Sequence, residues 1–307
     1  MNVAALIFPD LALIALGWGL YRYTRWSPAF WEGAEKLVYF VLFPALLFGS
    51  IARNPMSPGD ALPMIGVAWA ALGTGILLGW LALPLLRPPP AQFASGWQCA
   101  FRFNSYITLA LSTRLGGDAG LALTALIVGC IVPVANFFAV YGLARHAGTG
   151  LLRELARNPL VLATVGGLLA NATGLKLPEP LDATLQRLGL AALALGLLCV
   201  GAGLRLDAQA DADPAQRRSA QRLAIWFTAT KLLAMPLVAL LAGRALGLAP
   251  LPLKIVVMFA SVPTAPAAYV LANRMGGDGR FVAFLITVST VSAVLSLPLW
   301  VSLASMR

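Results

Sequence analysis

The stretch Met258-Phe-Ala-Ser-Val-Pro-Thr-Ala-Pro-Ala-Ala-Tyr-Val-Leu-Ala-Asn-Arg-Met-Gly-Gly-Asp278 decides the architecture. It begins as an apolar helix and then meets Pro263 and Pro266. Each proline removes a backbone donor and crowds the carbonyl one turn earlier, so two of them three residues apart open the helix. They fall about halfway along an apolar run that starts near residue 251, which puts the opening at mid-bilayer depth. Backbone groups freed at that depth need protein, ions or water as partners, which restricts the opening to a lined cavity.

A companion stretch runs Phe101-Arg-Phe-Asn-Ser-Tyr-Ile-Thr-Leu-Ala-Leu-Ser-Thr-Arg-Leu-Gly-Gly-Asp118. Its Arg114-Leu-Gly-Gly-Asp118 aligns without gaps with Arg274-Met-Gly-Gly-Asp278 at an offset of 160 residues, and the same offset pairs Asn104 with Thr264. Gly-Gly-Asp suits any helix-to-helix turn. The gapless spacing and the matching place in each half favour repetition. This stretch has no proline; Asn104, Ser105 and Thr108 compete for backbone hydrogen bonds and are expected to interrupt the helix more gently.

Outward from these two stretches, the chain of 307 residues is 59% hydrophobic and only 11% charged, with a mean hydropathy of +0.81. Soluble domains are about 45–50% apolar and about 25% charged, so an ordinary soluble enzyme, a disordered chain and a secreted disulfide scaffold are excluded. One integral-membrane domain over 1–307 is expected. Cutting at charged and Pro/Gly-rich points gives ten runs long enough to cross, at 3–21, 35–52, 62–86, 97–115, 119–143, 158–175, 187–206, 223–245, 251–274 and 280–304. A short interfacial helix is expected at 150–157, ahead of Asn158-Pro159, and the longest polar connector is 207–222. The first run lacks a basic leader and a cleavage pattern and is read as a retained helix. Repeat 1 covers 1–146 and repeat 2 covers 150–307. Five spans is an odd number, so the repeats sit with opposite orientation. Inverted repeats meeting at broken helices are a hallmark of secondary transporters.

The net charge of +10 resides in short connectors without interleaved aromatics, which argues against nucleic acid. Cys99, Cys130 and Cys199 sit in or beside apolar runs without metal-ligand spacing, and His146 is the one histidine. No metal site, cofactor or catalytic triad is expected. Lys/Arg residues number 14 on the side of connectors 1/2, 3/4, 5/6, 7/8 and 9/10 and 7 on the opposite side, with Lys231 inside span 8. The excess marks the cytoplasmic side and places both termini outside the cytoplasm.

Five motifs then take on a shared meaning: Phe43-Pro-Ala-Leu-Leu-Phe48, Arg102-Phe-Asn-Ser-Tyr-Ile107, Asn158-Pro-Leu, Leu197-Leu-Cys-Val-Gly-Ala-Gly-Leu204 and Pro263-Thr-Ala-Pro-Ala-Ala-Tyr-Val-Leu271. In their order and spacing the chain resembles the auxin efflux carrier family, bacterial type, over essentially its whole length. The resemblance implies an all-α integral membrane fold: ten transmembrane helices in two inverted five-helix repeats, with discontinuous helices 4 and 9 crossing at their unwound centres. It also implies alternating-access carriage of small organic anions such as malonate, malate or auxin-like carboxylates. The chain lacks the long cytosolic loop of plant members, so a bacterial inner (cytoplasmic) membrane is the expected location.

An anion in a low-dielectric cavity needs positive partners, and half-helix N-termini supply a partial charge of about +0.5 each. The candidate substrate-binding residues are Arg102, Asn104, Ser105, Thr108, Pro263, Thr264, Pro266 and Lys231. Lys231 lies about 12 Å into span 8, where an unpaired charge costs at least ~2.5–3.5 kcal/mol. It is expected to neutralise half-helix carbonyl ends, bind substrate or change protonation, with snorkelling as the bland alternative. Asp10 and Lys231 are the coupling candidates. Expected partners are a small organic anion, the bilayer, H⁺ or Na⁺, and a second copy of the chain as a candidate homodimer. Gly75 and Gly79 on span 3, and Gly201 and Gly203 at the end of span 7, are read first as close-packing positions. Pro44, Pro133, Pro236 and Pro298 are read as kinks. A ligand sensor on a carrier fold and a membrane-embedded enzyme are the alternatives; the scattered acidic residues weigh against the enzyme. In a chain stripped of its three cysteines, Ala210→Cys in the longest connector should react with an impermeant thiol reagent only from the cytoplasmic side. Labelling from the outside would reverse the topology.

Overall fold

Apolar runs rich in Ala and Leu favour helix intrinsically, and in hydrocarbon a helix satisfies its own backbone. The computed structural model, which describes residues 3–53, 58–144, 159–175, 177–204 and 213–306, is all helical over these residues. His146, the interfacial helix expected at 150–157, Asn158, Lys176, Arg205 and the 207–212 part of the longest connector lie outside the described residues.

Five stretches among the described residues are long and apolar enough to cross a bilayer: Leu62–Leu86, Pro90–Leu143, Glu179–Ala202, Arg217–Ala245 and Gly279–Ser305. Pro90–Leu143 takes in two of the ten expected spans, with a break at Phe101–Asn104 and a bend at Gly117. The expected span 251–274 is divided into Pro250–Ser261 and Ala267–Arg274 by its two prolines. Pro44 and Pro236 each follow a π-helical turn, Val38–Leu42 and Thr230–Ala234. A proline has no N–H for the carbonyl four residues earlier, and the wider turn absorbs its ring. The carbonyl that Pro236 leaves free, that of Leu232, accepts the Trp300 indole N–H at 2.7 Å. Pro298 is accommodated inside the helix Gly279–Ser305.

The chain forms two compact units that each draw on both halves of the sequence. The first comprises Met1–Leu62, Tyr106–Pro133 and Leu152–Gly203. In it, helix Val3–Tyr23 packs on Glu179–Ala202 at backbone contact. A Cβ on Gly201 would stand 1.9 Å from the Ile14 carbonyl oxygen, and one on Gly17 2.1 Å from that of Leu198. Helix Phe43–Arg53 lies against Pro159–Ala172 and Glu179–Ala202, and Arg53 pairs with Asp182 at 2.6 Å. The Tyr106 ring rests on Phe43, 4.6 Å between centroids.

The second unit comprises Pro63–Ser105, Val134–Leu151 and Leu204–Arg307. Trp97 is its packing centre: its indole N–H donates to the Ile76 carbonyl at 3.0 Å, and Gly79 and Gly142 leave the room its rings occupy. Gly75 faces the Phe101 Cβ and Met235. The G-x-x-x-G face of span 3 is thus used within the chain, against the broken span 4. In the two Arg-x-Gly-Gly-Asp turns the backbone bends at different glycines, Gly117 (φ 55°) in the first and Gly276 (φ 70°) in the second, which are not aligned by the 160-residue offset. Both need the left-handed conformation that glycine adopts without penalty.

Gly201→Ala should lower stability by about 1–3 kcal/mol, read as a drop in thermal unfolding midpoint in detergent, because its methyl has no place to go. Gly203→Ala, whose nearest neighbour would stand at 3.4 Å, should unfold like the unmodified protein.

Candidate functional site

Within the second unit, two interrupted helices meet. Helix Pro250–Ser261 stops where Val262 turns extended (φ −68°, ψ 151°) ahead of Pro263, and helix resumes at Ala267. Helix Pro90–Gly96 tightens to a 3₁₀ turn over Trp97–Ala100, opens at Phe101 (φ −133°), and helix resumes at Ser105. The Asn104 backbone N–H donates to the Pro263 carbonyl at 2.8 Å, so each break supplies a partner for the other. Span 4 is therefore fully opened without a proline, where a gentler interruption was expected. Its opening is stabilised from outside the segment, by the neighbouring break and by Phe103 packed edge-on to Phe259 at 4.5 Å.

Asn104, Thr264 and Lys231 are each 0% exposed, and Pro263 is buried. The Thr264 N–H points at the Ser289 hydroxyl, at 3.4 Å, and that hydroxyl donates to the Ile286 carbonyl at 3.0 Å. The Thr264 hydroxyl is buried without a regular hydrogen bond and has the weakly bonding Cys99 thiol beside it. Ser105 and Pro266 are half-buried at the starts of the two resumed helices, whose N-termini carry partial positive charge.

The Lys231 side-chain amine, carried by the π-turn, donates to the Ala260 carbonyl at 2.7 Å, in the last turn of helix Pro250–Ser261. When protonated, the amine offsets the partial negative charge at the carbonyl end of the interrupted helix. The contact is not the snorkelling alternative, since the amine is directed to the break and is fully buried. Arg102, half-buried, donates to the side chains of Gln98 and Asn136, both at 2.9 Å. Gln98 in turn donates to the Ser95 carbonyl at 3.1 Å and to the Ala268 carbonyl, in the resumed half of span 9, at 3.2 Å. Ser95 accepts the Asp278 N–H at 2.7 Å, and Asp278 caps helix Gly279–Ser305 through Phe281.

The structure thus brings together Arg102, Asn104, Ser105, Pro263, Thr264, Pro266 and Lys231. Thr108 is fully buried in the other unit, and Asp10 is on helix Val3–Tyr23 of that unit. Gln98, Asn136 and Ser289 join these residues without having been expected from the sequence. Asn136 carried a usable signal, an amide in mid-run; Gln98 and Ser289 are visible only through their partners.

The family described as "Membrane transport protein" matches residues 143–301, just over half of the 307. The chain belongs to the auxin efflux carrier family. It is also similar to a curated protein of Rhizobium meliloti (strain 1021) named "Putative malonate transporter", with 24% identity over 319 residues covering 96% of each chain. An auxin efflux carrier family protein with helices of spanning length is a multi-pass membrane transporter of small molecules. The broken pair Phe101–Asn104 and Val262–Pro266 is then the natural place in this family member to seek its cargo.

Gln98→Leu removes the tie among Arg102, Ser95 and Ala268 without changing size much. It should cost about 1–3 kcal/mol of stability in thermal unfolding, the range for stranding buried polar partners.

Proposed function

We propose that this protein is a secondary active or facilitative carrier of small mono- or dicarboxylates, malonate and malate foremost, working by alternating access. The observation that carries the reading is the hydrogen bond from Asn104 to Pro263, which holds two helix breaks together with the N-terminal ends at Ser105 and Ala267 beside them. A carboxylate suits such a place: half-helix N-termini and small polar groups bind negative charge without a resident metal. The malonate name of the Rhizobium relative supports the substrate class. In this reading the fold is ten helices in two inverted repeats, 1–146 and 150–307, within one transmembrane domain in a bacterial inner membrane, both termini outside the cytoplasm.

Asn104 and Thr264, equivalent under the 160-residue offset, are the proposed side-chain ligands, with Ser105 and Pro266 shaping the opening and Arg102 drawing anions toward it. Thr108, in the first turn of the helix that resumes at Ser105, is the remaining proposed substrate residue. Lys231 neutralises the carbonyl end of the broken helix, and together with Asp10 it is the proposed seat of proton coupling. Sodium coupling would instead call on the opened carbonyls. The reading assigns the protein no enzymatic activity.

Reconstituted protein should take up radiolabelled malonate saturably, and an imposed pH or Na⁺ gradient should identify the driving ion. Asn104→Ala keeps the backbone bond to Pro263 and deletes the side-chain amide; uptake should fall at least roughly tenfold with folding intact, the scale of one lost buried hydrogen bond to a charged ligand. Undiminished uptake by Asn104→Ala would remove Asn104 from the site. No uptake of malonate, malate or indole-acetate by folded protein would overturn the carrier reading of these anions.

A further inference from the structure

A groove of about 500 Å³ runs along the second unit between two helical stretches, and none of its lining residues belongs to the helix breaks. One wall is Gln221, Ala224, Ile225, Thr228, Ala229, Leu232 and Leu233; the other is the row Phe284, Val288, Ser292 and Ser296. The hydroxyls of Ser292 and Ser296 and the Gln221 amide are minor parts of the lining, which is almost wholly apolar. The twelve helical steps from Gln221 to Leu233 give it a length of about 18 Å, slightly more than the depth of one leaflet. Ile225 and Leu233 are 72% and 54% exposed at its lip, so in a bilayer it opens to hydrocarbon.

The two walls run in the same direction. Phe227, Phe281 and Leu285 gather around Gly96, and further along both stretches the Trp300 indole N–H donates to the Leu232 carbonyl. Both N-terminal ends of the walls therefore stand at one end of the groove. There the helical rows continue into arginines: Arg280 is one turn before Phe284 in the i, i+4 row, and Arg217 and Arg218 are one turn before Gln221 on the groove face. All three are exposed, and each crossing stretch begins at or next to them, at Arg217 and Gly279. Asp213 and Asp278 are the nearby countercharges by position, and the Asp278 carboxylate is engaged in capping the Phe281 N–H. The end is net positive and the shaft is apolar.

We propose that this groove seats one acyl chain of an anionic phospholipid whose phosphate is held by Arg217, Arg218 and Arg280. Charge complementarity selects the occupant: a zwitterionic lipid gives three guanidinium groups less net charge to bind, and a free anion leaves the apolar shaft uncovered. Guanidinium forks match phosphate oxygens in pairs, and basic clusters between transmembrane helices at an interface favour anionic headgroups. The proposal is independent of which anion the protein carries, because no residue of the broken pair takes part.

Native mass spectrometry of the delipidated full-length protein, titrated with dioleoyl-phosphatidylglycerol or dioleoyl-phosphatidylcholine, tests it. The first phosphatidylglycerol should bind at least roughly tenfold more tightly than the first phosphatidylcholine, as three basic contacts imply. The triple variant Arg217→Gln, Arg218→Gln, Arg280→Gln should bind the two lipids equally. Thr228→Phe fills the shaft and should weaken the first phosphatidylglycerol at least roughly fivefold with the arginines in place, since part of a buried chain is lost. Glycerol phosphate at millimolar concentration should not compete. Equal binding of both lipids by the unmodified protein would overturn the proposal. So would a phosphatidylglycerol preference that survives the triple variant, full binding to Thr228→Phe, or displacement by glycerol phosphate. All variants should melt like the unmodified protein, as the four side chains lie at the surface or in open space.

Discussion

A helix that stops inside hydrocarbon leaves donors and acceptors that no water can reach, and the rest of this structure follows from how those groups are satisfied. The hydrogen bond from Asn104 N–H to the Pro263 carbonyl pairs one broken helix with another, so that neither opening is left to strain alone. Around it the same requirement recurs. Lys231 supplies the Ala260 carbonyl with a donor. Trp300 supplies the Leu232 carbonyl that Pro236 strands. Each is a side chain brought from elsewhere in the second unit to a backbone group that regular helix would have served.

The electrostatics are the counterpart of the hydrogen bonding. A continuous helix keeps its partial charges at the membrane faces, whereas an interrupted one exposes a negative carbonyl end and a positive amide end in mid-membrane. Lys231 covers a negative end, at Ala260, and the resumed helices at Ser105 and Ala267 present positive ends. In the proposed carrier, that asymmetry is the reason for assigning it anions over cations. Arg102, tied to Gln98 and Asn136, adds fixed positive charge two residues from Asn104.

How much of this the sequence carried depended on the range of the interaction. Helix-forming apolar runs and the Pro263–Pro266 opening are local properties and were readable at once. The opening at Phe101–Asn104 was readable as a place, through Asn104 and Ser105, but not in extent, because it depends on a partner 159 residues away in the chain. Lys231 stood out by its depth, while its partner Ala260 is an alanine with no signal beyond its carbonyl. Gln98 looked like one polar residue in an apolar run, and its value as a three-way tie exists only after folding. The two π-turns follow from Pro44 and Pro236, but a proline alone does not say whether a helix kinks, widens or, as at Pro298, continues.

The two breaks hold each other through the Asn104 backbone N–H, and the exchange of that proton with solvent deuterium reads the bond without a substitution. Residue-resolved exchange of the reconstituted protein should find the Asn104 amide protected at least roughly a hundredfold relative to an unstructured chain, as opening a bond worth a few kcal/mol requires. Exchange at the unstructured rate, in protein whose helix Gly279–Ser305 is fully protected, would mean that the two breaks are not joined at Asn104.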